Sequence, residues 1–421
     1  MSPSSYDTAR VIADLRDLEA RTGGPGGARR VAWTDEWTVA REWLRSRLAE
    51  LPVEVEEDAA GNLWATRAGE RADRLVVGSH LDSVPAGGWL DGALGVCAGL
   101  EVLRSHSDRT PPVTLELVDW ADEEGARFGR SLFGSSAAAG TLVSDEVREL
   151  KDADGVSLPE ALAAHGIELD RVSEARGRLD GIGAYLELHI EQGPVLEDLG
   201  LSAGAVIGTY GVERHALRFA GRAGHAGATP LRLRHDAFLA AARFGLAARE
   251  SAARHGGVAT VGPVRVAPGV ATIINESCEV TLDQRAFEPE ALALMLADVR
   301  AAAQSISVQE GVEVTWQRIW SIEPIPFDPE LVALAERACQ EVTGAAHRLP
   351  SGALHDCAEV ARLAPAVMVF APSTGGISHS PAEDTPERDL ERALAVYARL
   401  VELTTARLDG NPVRSGTPPA S

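Results

Sequence analysis

The stretch "GSHLDSVPAGGWLDGALGV", residues 78–96, ends an apolar run on His80 and then sets Asp82 and Asp91 in a glycine-rich loop. Polar side chains at a strand end are costly to bury unless they are paired or bound to something. The same form recurs three times. "VTLELVDWADEE" runs into Glu123 and Glu124, "AYLELHIEQG" carries His189 near its end, and His379 follows the apolar run "AVMVFAPS" in "GGISHSPAEDT". Imidazoles and carboxylates are the donor types that zinc and other first-row ions take. Two such ions about 3.5–4 Å apart, sharing one carboxylate, activate water and clamp an oxyanion. His80, Asp91, Glu124, His189 and His379 are the candidate ligands, with Asp91 as the bridge. Asp82, two residues past His80, is expected to hold that ring in one tautomer. Of the adjacent glutamates, one can bind metal while the other takes a proton from water. We assign Glu123 as base and Glu124 as ligand, an order that spacing leaves open.

Separate strand ends must meet for this to work. "RLVVGSH", "VTLELVDW", "AYLELHI" and "AVMVFA" read as strands, and "ALGVCAGLEVLRS" and "RDLERALAVYARLVELTTARL" as helices; Trp37, Trp43, Leu44, Leu48 and Leu51 also recur at helical spacing. Strands alternating with helices predict an α/β fold, a mostly parallel sheet with helices on both faces. Sites in such sheets form outside the carboxyl ends of the strands. The middle of the chain reads β-α-β-β-α-β, from "HALRFAG" to "GVEVTWQRI", a ferredoxin-like order. The expected division is therefore a catalytic domain from 1–210 and 326–421, interrupted by a second domain over 211–325. The tail "GNPVRSGTPPAS" is Gly/Pro/Ser-rich and expected to be disordered.

Composition bounds the function classes. The chain has 421 residues, 45% of them hydrophobic, enough for two cores. A net charge of −22 speaks against nucleic acid and anionic membrane surfaces as partners. Cys97, Cys278, Cys339 and Cys357 show no metal-binding or disulfide spacing. The start "MSPSSYDTARV" lacks a basic-then-apolar signal and no membrane-length apolar run stands out, so a cytoplasmic protein is expected.

The motifs "GSHLDSVPAGGWLDGALGV", "DWADEEGARFGRSLFGS", "YLELHIEQGPVLE", "HAGATPLRLRHDA" and "GGISHSPAEDT" together resemble the hydantoinase/carbamoylase amidase branch of the M20 metallopeptidase superfamily. That branch includes N-carbamoyl-L-amino-acid hydrolases, β-ureidopropionases and allantoate amidohydrolases. The resemblance runs from about residue 28 to about 408. It implies two divalent ions per subunit (Zn, Mn, Co or Ni) on His80, bridging Asp91, Glu124, His189 and His379, with Glu123 as general base. It implies that the inserted domain serves dimerisation or closure, and that His225 reaches the partner subunit's site in a homodimer to stabilise the oxyanion. Arg285, in "TLDQR", matches an arginine that grips the substrate carboxylate, and Gln192 matches a substrate-side position.

Two departures fall in the expected substrate pocket. Thr272 stands thirteen residues before Arg285, where the family has an asparagine; Asn275 comes three residues later, and "IINES" replaces the usual continuation. The "SGAGHDA" signature appears as "SGALHDC", putting Leu354 where a glycine backbone lies near substrate. Plainer readings stand beside these roles: His225 as the cap of a Gly-rich turn, Arg285 as an ion-pair residue on a strand, Ser351 and His355 as supports of a pocket loop, Cys357 as a small core residue, and Glu54, Glu56, Glu57 and Asp58 as a solvated face. The expected reaction is metal-assisted hydrolysis of an N-carbamoyl (ureido) amino acid or related small carboxylate. Alternatives are allantoate, an N-acyl amino acid or dipeptide, a catalytically silent metal-binding dimer, and a structural protein without metal.

Overall fold

Continuous β-branched and leucine runs, too apolar to leave either face in water, form the centre of the main sheet. Leu75–His80, the last half of one strand, is buried throughout, as is every residue of Ala366–Ala371. The computed structural model describes residues 6–410; the tail read as disordered lies, beyond Gly410, outside the described residues. In chain order the strands are β1 Glu54–Glu57, β2 Leu63–Arg67, β3 Arg71–His80, β4 Val113–Trp120, β5 Ile182–Ile190 and β6 Gly204–Thr209. Then come β7 Gly211–Ala220, β8 Val258–Ala267, β9 Ser277–Ala286 and β10 Glu313–Ile322, and last β11 Ile325–Pro326, β12 Arg348–Ser351 and β13 Ala366–Ala371.

The larger sheet has nine strands in the order β1-β2-β4-β3-β5-β13-β6-β11, with β12 beside β6. Its four central strands, β4, β3, β5 and β13, are mutually parallel, while β2 and β6 join them antiparallel. The helix Ala93–Arg104 packs on β3 and β4, and Pro329–Thr343 and Glu387–Leu408 pack on β13. The helix Thr8–Thr22, absent from the sequence reading, adds Val11, Leu15 and Leu18 to the same core.

The chain divides into two compact units, one running to Ile207 and resuming at Pro326, the other Gly208–Ile325. The second unit is an antiparallel sheet of order β10-β7-β9-β8. Helices Ala237–His255 and Pro289–Glu310 bury Ala240, Phe244, Val299 and Ala303 with Leu217, Phe219, Val280 and Leu282. This is the βαββαβ arrangement of a ferredoxin-like fold. By length and composition alone Pro289–Glu310 would span a membrane, a run that the sequence reading passed over. Its buried residues Leu292, Met295, Val299, Ala303 and Ile306 recur at three- and four-residue steps, the stripe of a helix lying on a sheet.

Candidate metal centre

Parallel strands bring their carboxyl ends to one edge, and here that edge gathers the polar residues. His80 ends β3 opposite Trp120, the last residue of β4, and His189 on β5 lies opposite Phe370 on β13. The chain leaves β3 for β4 on one side and returns to β5 on the other, which opens a crevice at those ends. Glu123 and Glu124 follow β4, Asp91 lies after β3, and His379 follows β13.

Asp91 is the centre of the cluster. Its Oδ1 stands 3.1 Å from His189 Nε2 and 3.8 Å from His80 Nε2. Its Oδ2 stands 3.3 Å from His379 Nε2, and His379 Nε2 is 3.4 Å from Glu124 Oε2. Two groups of possible ligands therefore overlap at one carboxylate: His80, Asp91 and His189, and Asp91, Glu124 and His379. A third group, Glu187, His189 and His355, lies beside the first. Glu123 Oε2 is 3.8 Å from His80 Nε2 and joins neither triad.

Ring orientation tests whether these residues suit a cation. His80 Nδ1 is 3.1 Å from the Asp82 carbonyl, and His189 Nδ1 is 2.9 Å from the Ile190 carbonyl. A carbonyl only accepts, so in each ring Nδ1 carries a hydrogen, which leaves Nε2 as the nitrogen that faces Asp91 and can exchange its proton for a metal. The Gly92 N–H donates to His189 Nε2 at 3.3 Å, which agrees with that tautomer. This is how a protein presents imidazole to a metal. The donor set fits a divalent ion in each triad.

Asp82 meets the His80 ring through its backbone carbonyl and stands near it with its carboxylate. That carboxylate, 3.6 Å from Nδ1, accepts the N–H groups of Glu123 and Glu124, both at 3.1 Å. Asp82 thus ties the paired glutamates to the His80 turn. Buried charges clamp that turn from behind: Asp119 accepts from Leu81 N at 2.9 Å and pairs with Arg41 at 3.0 Å, and Arg30 Nε donates to the Leu81 carbonyl at 2.7 Å. Three non-glycine residues with left-handed backbone, Asp122 (φ 56), Gln192 (φ 58) and His379 (φ 53), also lie at the site, as functional strain often does.

The electrostatics follow from packing several carboxylates into a dry place. Burial pushes the Glu123 carboxyl well above its usual range, and Asp356, Glu124 and Asp82 add to the rise against the pull of His80. Burial and the Asp91 charge raise Glu124 to about 7. Burial would raise Asp91 too, but His189 and His379 outweigh it and hold that carboxyl well below its usual value. His379 rises to about 9, chiefly through its hydrogen bond to Asp91. Burial would lower His80, yet Glu123, Asp82 and Asp91 raise it. Protons and divalent ions compete for such donors.

Gln192 belongs to the same cluster: its Nε2 donates to Asp91 Oδ2 at 3.0 Å and to Ser378 Oγ at 3.2 Å. Leu354 is half-buried next to His355, whose Nε2 is 3.0 Å from Ser351 Oγ and whose ring lies 4.4 Å from that of His189. The remaining candidates lie in the second unit. His225 is exposed, and its Nδ1 accepts the N–H groups of Gly227 and Ala228, both at 3.1 Å, so it caps a turn and keeps its hydrogen on Nε2. The Thr272 carbonyl holds Ala226 N at 2.9 Å, and Asn275 Oδ1 accepts from Gly269 at 3.1 Å; both act on backbone. Arg285 is engaged by Asp283 two residues earlier, at 2.8 Å through Nε. Sequence reasoning assigned nothing to Arg30, Asp119, Ser378 or Glu383, although the last three stand inside motifs that it quoted.

Comparison with known proteins gives the family. Residues 76–403 match the model of peptidase family M20/M25/M40. An N-carbamoyl-L-amino acid amidohydrolase of Geobacillus stearothermophilus is 40% identical over 369 residues, 86% of this chain and 90% of its own length. An allantoate amidohydrolase of Bacillus subtilis is 33% identical over 399 residues, 93% of this chain and 96% of its own. The crystal structure of an amidase of the hydantoinase/carbamoylase family from Burkholderia multivorans superposes with a TM-score of 0.88 at 33% identity, covering 97% of this chain and 100% of that one. By its strand-end ligand cluster, its fold and these likenesses, the chain belongs to peptidase family M20/M25/M40, among the hydantoinase/carbamoylase amidases.

Proposed function

We propose that the protein is a binuclear metal-dependent amidohydrolase that cleaves the C–N bond of an N-carbamoyl (ureido) amino acid, yielding the amino acid, carbon dioxide and ammonia. The observation that carries this reading is a buried carboxyl, Glu123, standing beside two ligand triads that share Asp91. His80, Asp91 and His189 would hold one ion, and Asp91, Glu124 and His379 the other. Bound ions would supply Lewis acidity, lowering the pKa of a water and polarising the carbonyl.

The chain's own groups do the rest. Glu123, ionised, takes the proton of the attacking water and returns it to the leaving nitrogen. Its raised pKa suits both halves of that task, because a stronger acid would hold the proton too weakly to pass it on. His225 offers Nε2–H to the oxyanion, a tautomer fixed by its turn. It acts in this reading from the partner subunit of a dimer formed through the second unit. Arg285 receives the substrate carboxylate, which would share or displace Asp283. Gln192, Asn275, Thr272 and Leu354 shape the pocket. The names of the relatives support both a carbamoyl amino acid and, as a second reading, allantoate.

The test is a panel of N-carbamoyl-L-amino acids, allantoate, N-acetyl amino acids and dipeptides, given to manganese-loaded protein with and without chelator. Ammonia release from a ureido compound, lost with chelator, is the expected result. Amine release without ammonia would move the protein to acylase or peptidase chemistry and overturn the reading.

A further inference from the structure

We propose that Glu383 is a positioning residue that sets the bridging carboxylate of Asp91, through the main chain directly and through Ser378 at Oδ2. The inference rests on the two-ion reading above. Glu383 is 2% exposed, and its Oε1 accepts two backbone donors, Leu90 N at 3.1 Å and Asp91 N at 3.0 Å. Its Oε2 lies 3.0 Å from Ser378 Oγ and Asp91 Oδ2 lies 3.2 Å from the same oxygen, so the single hydroxyl hydrogen is shared between the two carboxylates. One buried carboxylate therefore grips Asp91 at both ends of the residue.

That grip matters because the two oxygens of Asp91 have different duties. Oδ1 faces His189 and His80, and Oδ2 faces His379. A turn of the carboxylate about its own bond would exchange them, and Ser378 with Gln192 resists that turn from the Oδ2 side. Glu383 also stands in the turn that carries His379, where its N–H donates to the Ser380 carbonyl at 3.0 Å. It thus links the loop after β3 to the loop after β13, the two segments that bring Asp91 and His379 together. The chain leaves room for it: a Cβ at Gly88 would overlap the Glu383 carboxylate.

The consequence is unequal. His80 and His189 are oriented by backbone carbonyls that do not involve Glu383. Loss of Glu383 should therefore weaken the ion held by Asp91, Glu124 and His379 and spare the other. The experiment titrates chelator-treated full-length protein with Co2+, followed by calorimetry and visible absorption. Wild type should show two binding events. Glu383→Ala should weaken one of them by about 10–100-fold, the usual effect of removing a group that orients a ligand, and leave the other within about threefold. Glu383→Gln keeps an acceptor for both N–H groups and reverses the second contact, its amide N–H donating to Ser378 Oγ and leaving that hydroxyl hydrogen to Asp91 Oδ2, and should restore both events. If Glu383→Ala does not fold by circular dichroism, Ser378→Ala takes its place, with the same ion selectively weakened. Two unchanged events in the alanine variants, equal loss of both, or a glutamine variant as weak as alanine would overturn the proposal. Wild type binding fewer than two ions would instead remove the two-ion reading, and the proposal with it.

Discussion

Glu123 and Glu124 are neighbours in sequence, yet their surroundings give them different work. Glu124 Oε2 faces His379 and its other oxygen accepts from Val84 N at 3.3 Å, so both its oxygens have partners. Glu123 has a longer contact, 3.8 Å to His80, and shares in neither triad. A base must give up its own proton first, and burial holds that proton to a higher pH than usual. Glu123→Gln should bind the same amount of metal, fold as before, and lose about 10²–10⁴-fold in kcat, the usual worth of general acid–base catalysis. Near-normal kcat in that variant would end the assignment. The same variant probes the dimer reading, because mixing it with His225→Ala subunits rebuilds one complete site per mixed dimer. Recovery of activity from two inactive proteins is the expected outcome; none would place His225 in its own subunit's chemistry or outside it altogether.

At the level of elements, the cluster around Asp91 was legible because His80 ends β3, His189 stands one residue before the end of β5, and Glu124 and His379 follow β4 and β13. "LVVGSH" and "YLELHI" break their apolar runs at a histidine, and a parallel sheet then has one edge at which such breaks can meet. What depended on tertiary partners was not legible. Asp58, read as part of a solvated acidic face, instead accepts from Ala60 N, Asn62 N and Trp64 Nε1 and holds a turn. The helix Thr8–Thr22 hides three core residues among charges, and one of these charges, Asp14, pairs with Arg104 across to another helix. Arg285 and Asp283, by contrast, sit two apart on one strand and so share a face, a pairing that the period of two already implied. Glycine within the first motif has its own element-level reason. Gly92 starts the helix Ala93–Arg104 with φ +64, and a Cβ there would overlap the His80 ring. Gly92→Ala should lower the melting temperature through an alanine forced into left-handed backbone, at about 1–2 kcal/mol. It should also weaken metal binding by displacing His80. An alanine variant with unaltered metal affinity would show that the ring does not need that space.

For the whole molecule, the proposed metal sites imply a stability that depends on pH and on metal together. In the metal-free protein Glu124 titrates at about 7, Asp122 at about 8 and His379 at about 9, and Glu123, His80 and His189 are raised as well. Unfolded, carboxyls release their protons near pH 4 and imidazoles near 6.5. Each of these groups therefore holds its proton longer when folded. Their contribution is fully present below the unfolded values and is lost as pH rises through the folded ones. His106, His215 and His355 are lowered by burial and act in the opposite direction, but only below about pH 6.5, where their unfolded forms gain protons. Asp91 is also lowered, and its effect is confined to acid. Between about pH 6.5 and 9 the sign is thus single, and the melting temperature of chelated protein should fall as pH rises. Bound divalent ions require the same carboxylates ionised and the same imidazoles neutral, so the protons have already left when the sites are filled. Loaded protein should accordingly show a flatter profile, and the rise in melting temperature on adding metal should grow with pH. Thermal scans at several pH values with Mn2+ or with chelator measure both slopes. A chelated protein that gains stability toward pH 9 would mean that the cluster does not hold these protons in the folded chain, and the case for its being built around cations would lose its electrostatic half.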